Sequence, residues 1–337
     1  MREVADRAGV AMSSVSRVLA NHPDVSDRMR ERVLAVVGEL GYRPDMLAQG
    51  LRRQRTMSIG FTVSDISNPV LADTITGAER RLRAAGYSLL LTDSEGDAAL
   101  DAAHIRVFEQ RRVDGLLVSL ADEHNPETIE ALGGLEIPVV LLDRDDIPGV
   151  VRRRVSFDHR LGMGAAAASL LELGHRELAF IAGGPRRPAM ERQRGIEDSI
   201  ARSGLDARCH VLTGDFAIEH GAQSVREILD RHPEVTAIVA GGNLIMHGAL
   251  RGLRDAGVRV GEQMSFIGCD DVAVAEFHQP PIAVVRRDTR AIGELGAEIL
   301  IAALGGDKEP VDRILPTEFV ARPSCAPPRV GPLQRGA

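Results

Sequence analysis

From residue 57 onward the chain alternates short apolar runs with longer stretches whose apolar residues recur every three or four positions. The runs predict strands over residues 57–63, 88–91, 115–118, 139–142, 178–181, 209–212, 237–240 and 265–268. The periodic stretches between them predict helices over 71–85, 98–110, 160–173, 190–203, 220–231, 246–256 and 289–304. This alternation is the signature of parallel βα units. So many units overfill one sheet, and the economical packing is two doubly wound lobes with a ligand cleft between them, at the carboxyl ends of the strands.

The first 45 residues follow a different pattern, all helical. Val4, Ala5 and Ala8 share one face of a short helix, Gly9 supplies a turn where positive φ is cheap, and Val15, Val18 and Leu19 face back from a second helix. That is a helix-turn-helix. The outward face of its second helix carries Met12, Ser13, Ser14, Ser16 and Arg17, none of them needed for a core and all able to reach phosphates or base edges. A third helix is expected from Ser26, whose hydroxyl suits a cap, to about Leu40, with Val33, Val36, Val37 and Leu40 facing the first two and Gly41 stopping it. Residues 45–56 are too short and isolated for a helix stable on its own.

Composition leaves this picture standing and narrows it. The 337 residues are 44% hydrophobic, 26% charged and 3% aromatic, with no Trp, which suits a large α/β core. No apolar run approaches the roughly 20 residues of a membrane span, and the opening residues are charged where a signal peptide would be apolar, so a cytoplasmic protein without a membrane partner is expected. Cys209, Cys269 and Cys325 are odd in number and far apart, so neither a disulfide framework nor a metal site is expected, and no cofactor is implied. The net charge of −7 divides unevenly: residues 1–56 hold ten Arg against seven acidic residues, a surplus of +3, and the remainder carries −10. A head with so modest a surplus needs placed contacts, and two heads acting together, to hold nucleic acid.

The run Val4-Ala5-Asp6-Arg7-Ala8-Gly9-Val10, followed by Ser14-Val15-Ser16-Arg17-Val18-Leu19, resembles the DNA-binding headpiece of the LacI/GalR family of bacterial transcriptional regulators. The likeness continues in Val25-Ser26 and Gly41-Tyr42-Arg43-Pro44 and extends to Leu315-Pro316-Thr317-Glu318-Phe319. It implies a headpiece over residues 1–44, a hinge over 45–56, a two-lobed core of the periplasmic-binding-protein type over 57–325 and a flexible tail over 326–337. It also implies a homodimer that reads a near-palindromic operator in double-stranded DNA. Met12, Ser13 and Arg17 would face bases, Ser14 and Ser16 phosphates, and Asn21 the same surface. In the hinge, Ala48 and Leu51 match positions at the minor groove, where a Leu wedges into a base step, and Gly50 lowers helix propensity by about 1 kcal/mol against Ala. The tail has no heptads to make a tetramer. In such cores the chain crosses between lobes three times, here near Phe157, Val285 to Thr289 and Pro316.

The same resemblance implies a small-molecule effector, of the sugar or sugar-derivative class, in the cleft. Asn68-Pro69-Val70-Leu71 matches a segment that usually ends in two aromatic rings, which places Leu71 at the ligand. Arg192, in Glu191-Arg192-Gln193-Arg194-Gly195, matches a residue that commonly contacts effector, Phe216 a stacking ring, and Asp270 an acceptor of ligand hydroxyls. Asp143, after the strand ending Leu141-Leu142, Phe157, ahead of the helix that ends in Leu173-Gly174-His175, and Arg287, after Pro280-Pro281-Ile282, join them. Carboxylates that take paired hydroxyls and guanidiniums that clamp oxygens suit a polyhydroxylated ligand. The same charges also suit salt bridges between lobes.

Several positions depart from the family pattern. Gly242-Asn243 replaces an Asn-Asp pair, Ala11 lacks the usual hydroxyl cap, Asp45 replaces an Asn, and Met1 stands where further residues usually precede it, so an upstream start is expected. Competing readings are a solute-binding protein on the same core, a ligand-dependent activator or corepressor-type regulator, and an enzyme. For an enzyme, Asp145-Asp146 and Asp270-Asp271 are the available pairs, but adjacent carboxylates seldom converge on one substrate atom.

Overall fold

The computed structural model describes residues 1–19, 22–42, 55–147, 149–150, 153–331 and 333. They fall into two compact units, Met1–Met57 and Ser58–Ala337. Asn21, Ala48 and Leu51, with Asp45 and Gly50, lie outside the described residues.

The first unit has α1 (Arg2–Ala8), α2 (Met12–Leu19) and α3 (Asp27–Glu39). Gly9 ends α1 with φ of 59°, a conformation a side chain would disfavour. Val4, Ala5, Ala8, Val15, Val18 and Val33 form the core that the apolar spacing predicts, joined by Val25, while Leu19, Val36, Val37 and Leu40 pack against it only partly buried. Ser26 precedes α3 as expected, but its hydroxyl makes no capping bond; its backbone carbonyl accepts from Met29 and Arg30 N–H groups at 3.0 Å. On α2, Met12, Ser13 and Arg17 are exposed, and Ser14 and Ser16 half-buried.

The second unit is built on two six-stranded sheets. One holds β1 (Ser58–Val63), β2 (Ser88–Asp93), β3 (Gly115–Ser119), β4 (Val139–Leu142), β5 (Arg153–Phe157) and β11 (Val311–Leu315), in the order β2-β1-β3-β4-β5-β11 and parallel throughout. The other holds β6 (Glu177–Ala182), β7 (Arg208–Thr213), β8 (Ala237–Ala240), β9 (Ser265–Cys269), β10 (Ala283–Arg287) and β12 (Thr317–Val320), in the order β7-β6-β8-β9-β10-β12. Its outer pair, β10 with β12, is antiparallel. In the second sheet Ile181, Ile238 and Phe266 pack on one face and Phe180, Val239 and Ile267 on the other. Both faces are covered, which is why these strands read as unbroken apolar runs.

The first sheet is flanked by α4 (Pro69–Ala84), α5 (Ala98–Gln110), α6 (Pro126–Gly133) and α12 (Thr289–Leu304). The second is flanked by α7 (His159–Glu172), α8 (Arg187–Ser203), α9 (Ile218–Arg231), α10 (Asn243–Asp255) and the short α11 (Ala273–Phe277). The chain passes from the first sheet to the second after Phe157, returns after Arg287 and crosses again at Pro316.

β5, β10, β11, β12, α6 and α11 are absent from the elements the pattern predicts. β5 opens on Arg153-Arg154 and β10 closes on Arg286-Arg287, charges that hide their apolar remainder, and β11 and β12 are edge strands. For α6 a start signal was present: the Asn125 side chain accepts from Thr128 N–H at 3.1 Å, with Pro126 at the first helical position.

α9 and α10 press together through glycines. A Cβ on Gly221 would overlap the carbonyl oxygen of Ile245, and one on Gly248 that of Ile218. Backbone atoms have no rotamer in which to retreat. Gly248→Ala is therefore expected to lower stability by roughly 3 kcal/mol, seen as a lower urea midpoint. An unchanged midpoint would show that the two helices can separate at little cost.

Candidate functional site

A cavity of about 550 Å³ lies between the carboxyl ends of the two sheets. Its charged groups are placed by the same local structure used twice. Asp143 directly follows β4 with φ of 54°, and Asp270 directly follows β9 with φ of 72°. Each donates its backbone N–H to the neighbouring strand, Asp143 to Val155 at 2.8 Å and Asp270 to Val285 at 2.9 Å. Left-handed backbone is tolerated by Asp better than by most side chains. The result is one carboxylate from each sheet, aimed at the other.

Arg287 fills the space between them. Its Nη1 donates to Asp143 Oδ2 at 2.7 Å, and its Nε and Nη2 donate to Asp270 at 2.6 and 3.3 Å. The guanidinium also lies 5.1 Å from the centre of the Phe157 ring. Asp143, Asp270 and Arg287 thus form the salt bridge between lobes that their charges allowed, at a crossing of the chain.

Two further side chains complete the network. Arg192, only 2% exposed, donates its Nη1 to the Gly241 carbonyl at 2.6 Å and its Nε to His159 Nδ1 at 3.3 Å. Arginine can only donate, so Nδ1 carries a lone pair and the His159 proton sits on Nε2. That Nε2 is 2.9 and 3.1 Å from the Asp143 oxygens, to which it donates. Arg192 belongs to the cavity lining, and its Nη2 is buried with no partner among the described residues.

These contacts set the ionisation states. Burial opposes charge on Asp143, but His159, Arg287 and Arg192 outweigh it and hold the carboxyl far below its ordinary range. Burial likewise opposes charge on Asp270, and Arg287 and Arg192 hold it low. Arg287, between two carboxylates, is raised against the effect of burial. His159 is pushed down to about 4 by burial, helped by Arg192 and Arg287 and opposed by Asp143, so it is neutral at pH 7, as its hydrogen bonds require. An unfolded His binds its proton near pH 6.5, so stability is expected to fall as pH drops from 6.5 to about 4, by about 3 kcal/mol in all. His159→Gln should remove that slope from urea unfolding measured across the interval; a slope that survives would place its origin elsewhere.

The remaining lining mixes apolar and amide side chains with hydroxyls and with the charged Asp65, Glu95, Arg144, Arg186 and Asp215. Phe216 rests on Gly183 and Gly242, where any Cβ would meet its ring, and Arg186 lies 5.8 Å from the ring centre. Asn68 caps α4 by accepting from Val70 N–H at 3.1 Å, and its side chain exchanges hydrogen bonds of 2.9 and 3.4 Å with Asn243, the first residue of α10. This amide pair joins the lobes across the cleft mouth. Leu71, Asp143, Phe157, Arg192, Phe216, Asp270 and Arg287 all border the cavity. Sequence reasoning missed His159, Arg144 and the partnership of Asn68 with Asn243. The signal for His159 was its place one residue after Asp158, the cap that opens α7. Nothing local marked Arg144, whose buried guanidinium reaches Glu123 at 3.8 Å.

A helix-turn-helix unit followed by two parallel-sheet lobes around a ligand-sized cavity defines a DNA-binding regulator with an effector domain. Comparison with known proteins makes this specific. Residues 1–45 match the family described as bacterial regulatory proteins, lacI family, and residues 167–325 a periplasmic binding protein-like domain. The chain is 30% identical over 303 residues to the ribose operon repressor of Escherichia coli (strain K12), an alignment that covers 89% of this chain and 92% of the relative. A transcriptional regulator CelR–cellobiose complex is 31% identical with a TM-score of 0.72, covering 95% of this chain and 98% of that one. The lac repressor dimer bound to operator and the anti-inducer ONPF has the same fold, with a TM-score of 0.85 at 24% identity over 96% of this chain and 98% of that one. The chain belongs to the LacI family of bacterial regulatory proteins. It is a DNA-binding transcriptional regulator and not an enzyme. No helix among the described residues is long and apolar enough to cross a membrane.

Proposed function

We propose that this regulator is a cytoplasmic repressor that binds a near-palindromic operator as a homodimer and is controlled by a small polyhydroxylated effector in the cleft. The observation that carries the effector reading is that Arg192, a residue of the cavity lining, has a buried Nη2 with no partner among the described residues. Leaving a buried charged donor unmatched costs more than the roughly 1–3 kcal/mol of a neutral one, and a ligand oxygen removes that cost. Phe216 offers a flat apolar surface to a sugar ring, while Phe157, only 1% exposed, lies beneath the Arg287 guanidinium. The names of two relatives, a ribose operon repressor and a cellobiose-bound regulator, support the same class.

A second reading is favoured by the pairing of Asp143 and Asp270 with Arg287. The Asp143 and Asp270 carboxylates share Arg287 as cationic partner, and among the described residues the buried lining group left unmatched is the Arg192 donor. An effector with a carboxylate or phosphate on a sugar frame fits that better than a neutral sugar.

In the head, Met12, Ser13 and Arg17 would meet base edges and Ser14 and Ser16 phosphates, with residues 45–56 as a hinge that places Leu51 in the minor groove. Effector binding would change how the lobes close and hence the spacing of the two heads. The test is a gel shift on the promoters of the neighbouring genes with ribose, cellobiose, sugar acids and sugar phosphates added. Retention of one fragment, altered by one class of additive, is expected. Failure to retain any fragment would defeat the repressor reading, and retention that no additive alters would defeat the effector reading.

A further inference from the structure

We propose that His210, His232, Glu234 and Glu177 form a binding site for a divalent transition metal of the zinc type. The four residues meet at the amino end of the second sheet, opposite to the effector cleft. Glu177 opens β6, His210 lies within neighbouring β7, His232 follows the last residue of α9, and Glu234 lies in the connection to β8. His210 and His232 are on different elements, so no short motif announces them.

The geometry is that of a metal's ligand set. His210 Nε2 stands 3.5 Å from Glu234 Oε1, and His232 Nδ1 stands 3.4 Å from the same oxygen. The donor atoms of these three residues all lie within 4.8 Å of one another. Zinc bonds of about 2.0–2.2 Å in a tetrahedron require donors about 3.3–3.6 Å apart, so an ion fits among them with small side-chain adjustment. Glu177 Oε2, 3.0 Å from His210 Nε2, stands outside that group of three and becomes a fourth donor by turning its half-exposed side chain inward. The two rings lie 4.2 Å apart between centres with planes at 38°.

The chemistry favours an ion there. His210 Nε2 faces two carboxylates, and a neutral imidazole has one proton to give them. A dication satisfies both carboxylates and both rings and neutralises the pair of negative charges. Imidazole with carboxylate selects zinc, cobalt, nickel or copper over calcium and magnesium, which prefer oxygen alone. The side chains are 24 to 45% exposed, so an ion can enter from solvent. Bound there, it ties β6, β7 and the end of α9 together.

The test uses the full chain stripped with a chelator and titrated calorimetrically with zinc chloride. One saturable zinc ion per chain is expected, and cobalt chloride should give the intense visible absorption of a tetrahedral nitrogen and oxygen site. His210→Gln keeps an amide donor for Glu177, and His232→Gln changes a half-exposed ring, so both variants should melt like the metal-free parent. Each should bind zinc at least about tenfold more weakly and lose the cobalt absorption. No saturable zinc uptake by the parent, cobalt absorption typical of six oxygen ligands, or uptake undiminished in both variants would each overturn the site.

Discussion

Replacing Arg287 by Met is expected to lower the stability of the core by about 4 kcal/mol and to reverse its response to acid. In the intact chain the Asp143 and Asp270 carboxyls are held below their ordinary 3.8. They therefore contribute stability that is present above about pH 4 and lost as pH falls toward their folded values. Without the guanidinium, Asp143 keeps its bond from His159, but Asp270 loses its side-chain partner while staying 2% exposed. Burial then dominates and raises the Asp270 pKa above that of the unfolded chain. A raised carboxyl contributes most in acid and is lost as pH climbs through it, so the variant should gain stability relative to the parent as pH falls. Urea unfolding from pH 4 to 8 checks both parts. A loss below about 1 kcal/mol, or parallel pH profiles, would show that the bridge between lobes is not a principal support of the core.

Arg192→Met is expected to weaken effector binding by about 100-fold or more, the scale of removing a buried charged donor. The variant should still bind DNA, but that binding should no longer change with the effector found by gel shift. Because Arg192 also supports His159 and the Gly241 carbonyl, some stability should be lost with it. Arg192→Lys separates the two effects. It keeps the charge but cannot reproduce donors aimed in three directions, so it should fold nearer to the parent and still bind effector poorly. Calorimetric titration gives the affinities and thermal melting the fold. Near-parent affinity in both variants would remove Arg192 from the site.

The parts of this fold that were legible in the sequence are those whose information is local. The run 139–142 coincides with β4, and the spacings over 98–110 and 289–304 coincide with α5 and α12. β5 and β10 were not legible, because two of the five residues in each are arginines whose purpose lies elsewhere: Arg154 pairs with Asp312 on the edge strand and Arg287 with Asp143 across the cleft. The cleft residues were read from family likeness, which gives positions but not partners. The bond between Arg287 and Asp143 joins residues 144 apart, and no periodicity encodes it. His159 shows the same limit: a histidine beside a cap looks like any other until Arg192 is seen to fix its proton.

The three crossings carry a consequence for the gene. The first sheet draws its strands from residues 58–157 and 311–315, and the second from 177–287 and 317–320. No single cut in the coding sequence frees either lobe. A library that exchanges effector specificities by recombining relatives at one junction will nearly always build hybrid lobes, with β11 or β12 inherited from a different parent than the sheet it edges. Exchange is cleaner ahead of Ser58, where all of the two-sheet core travels together. In this architecture the DNA-reading head is a portable segment, whereas a new effector response has to arise by substitution within an intact core.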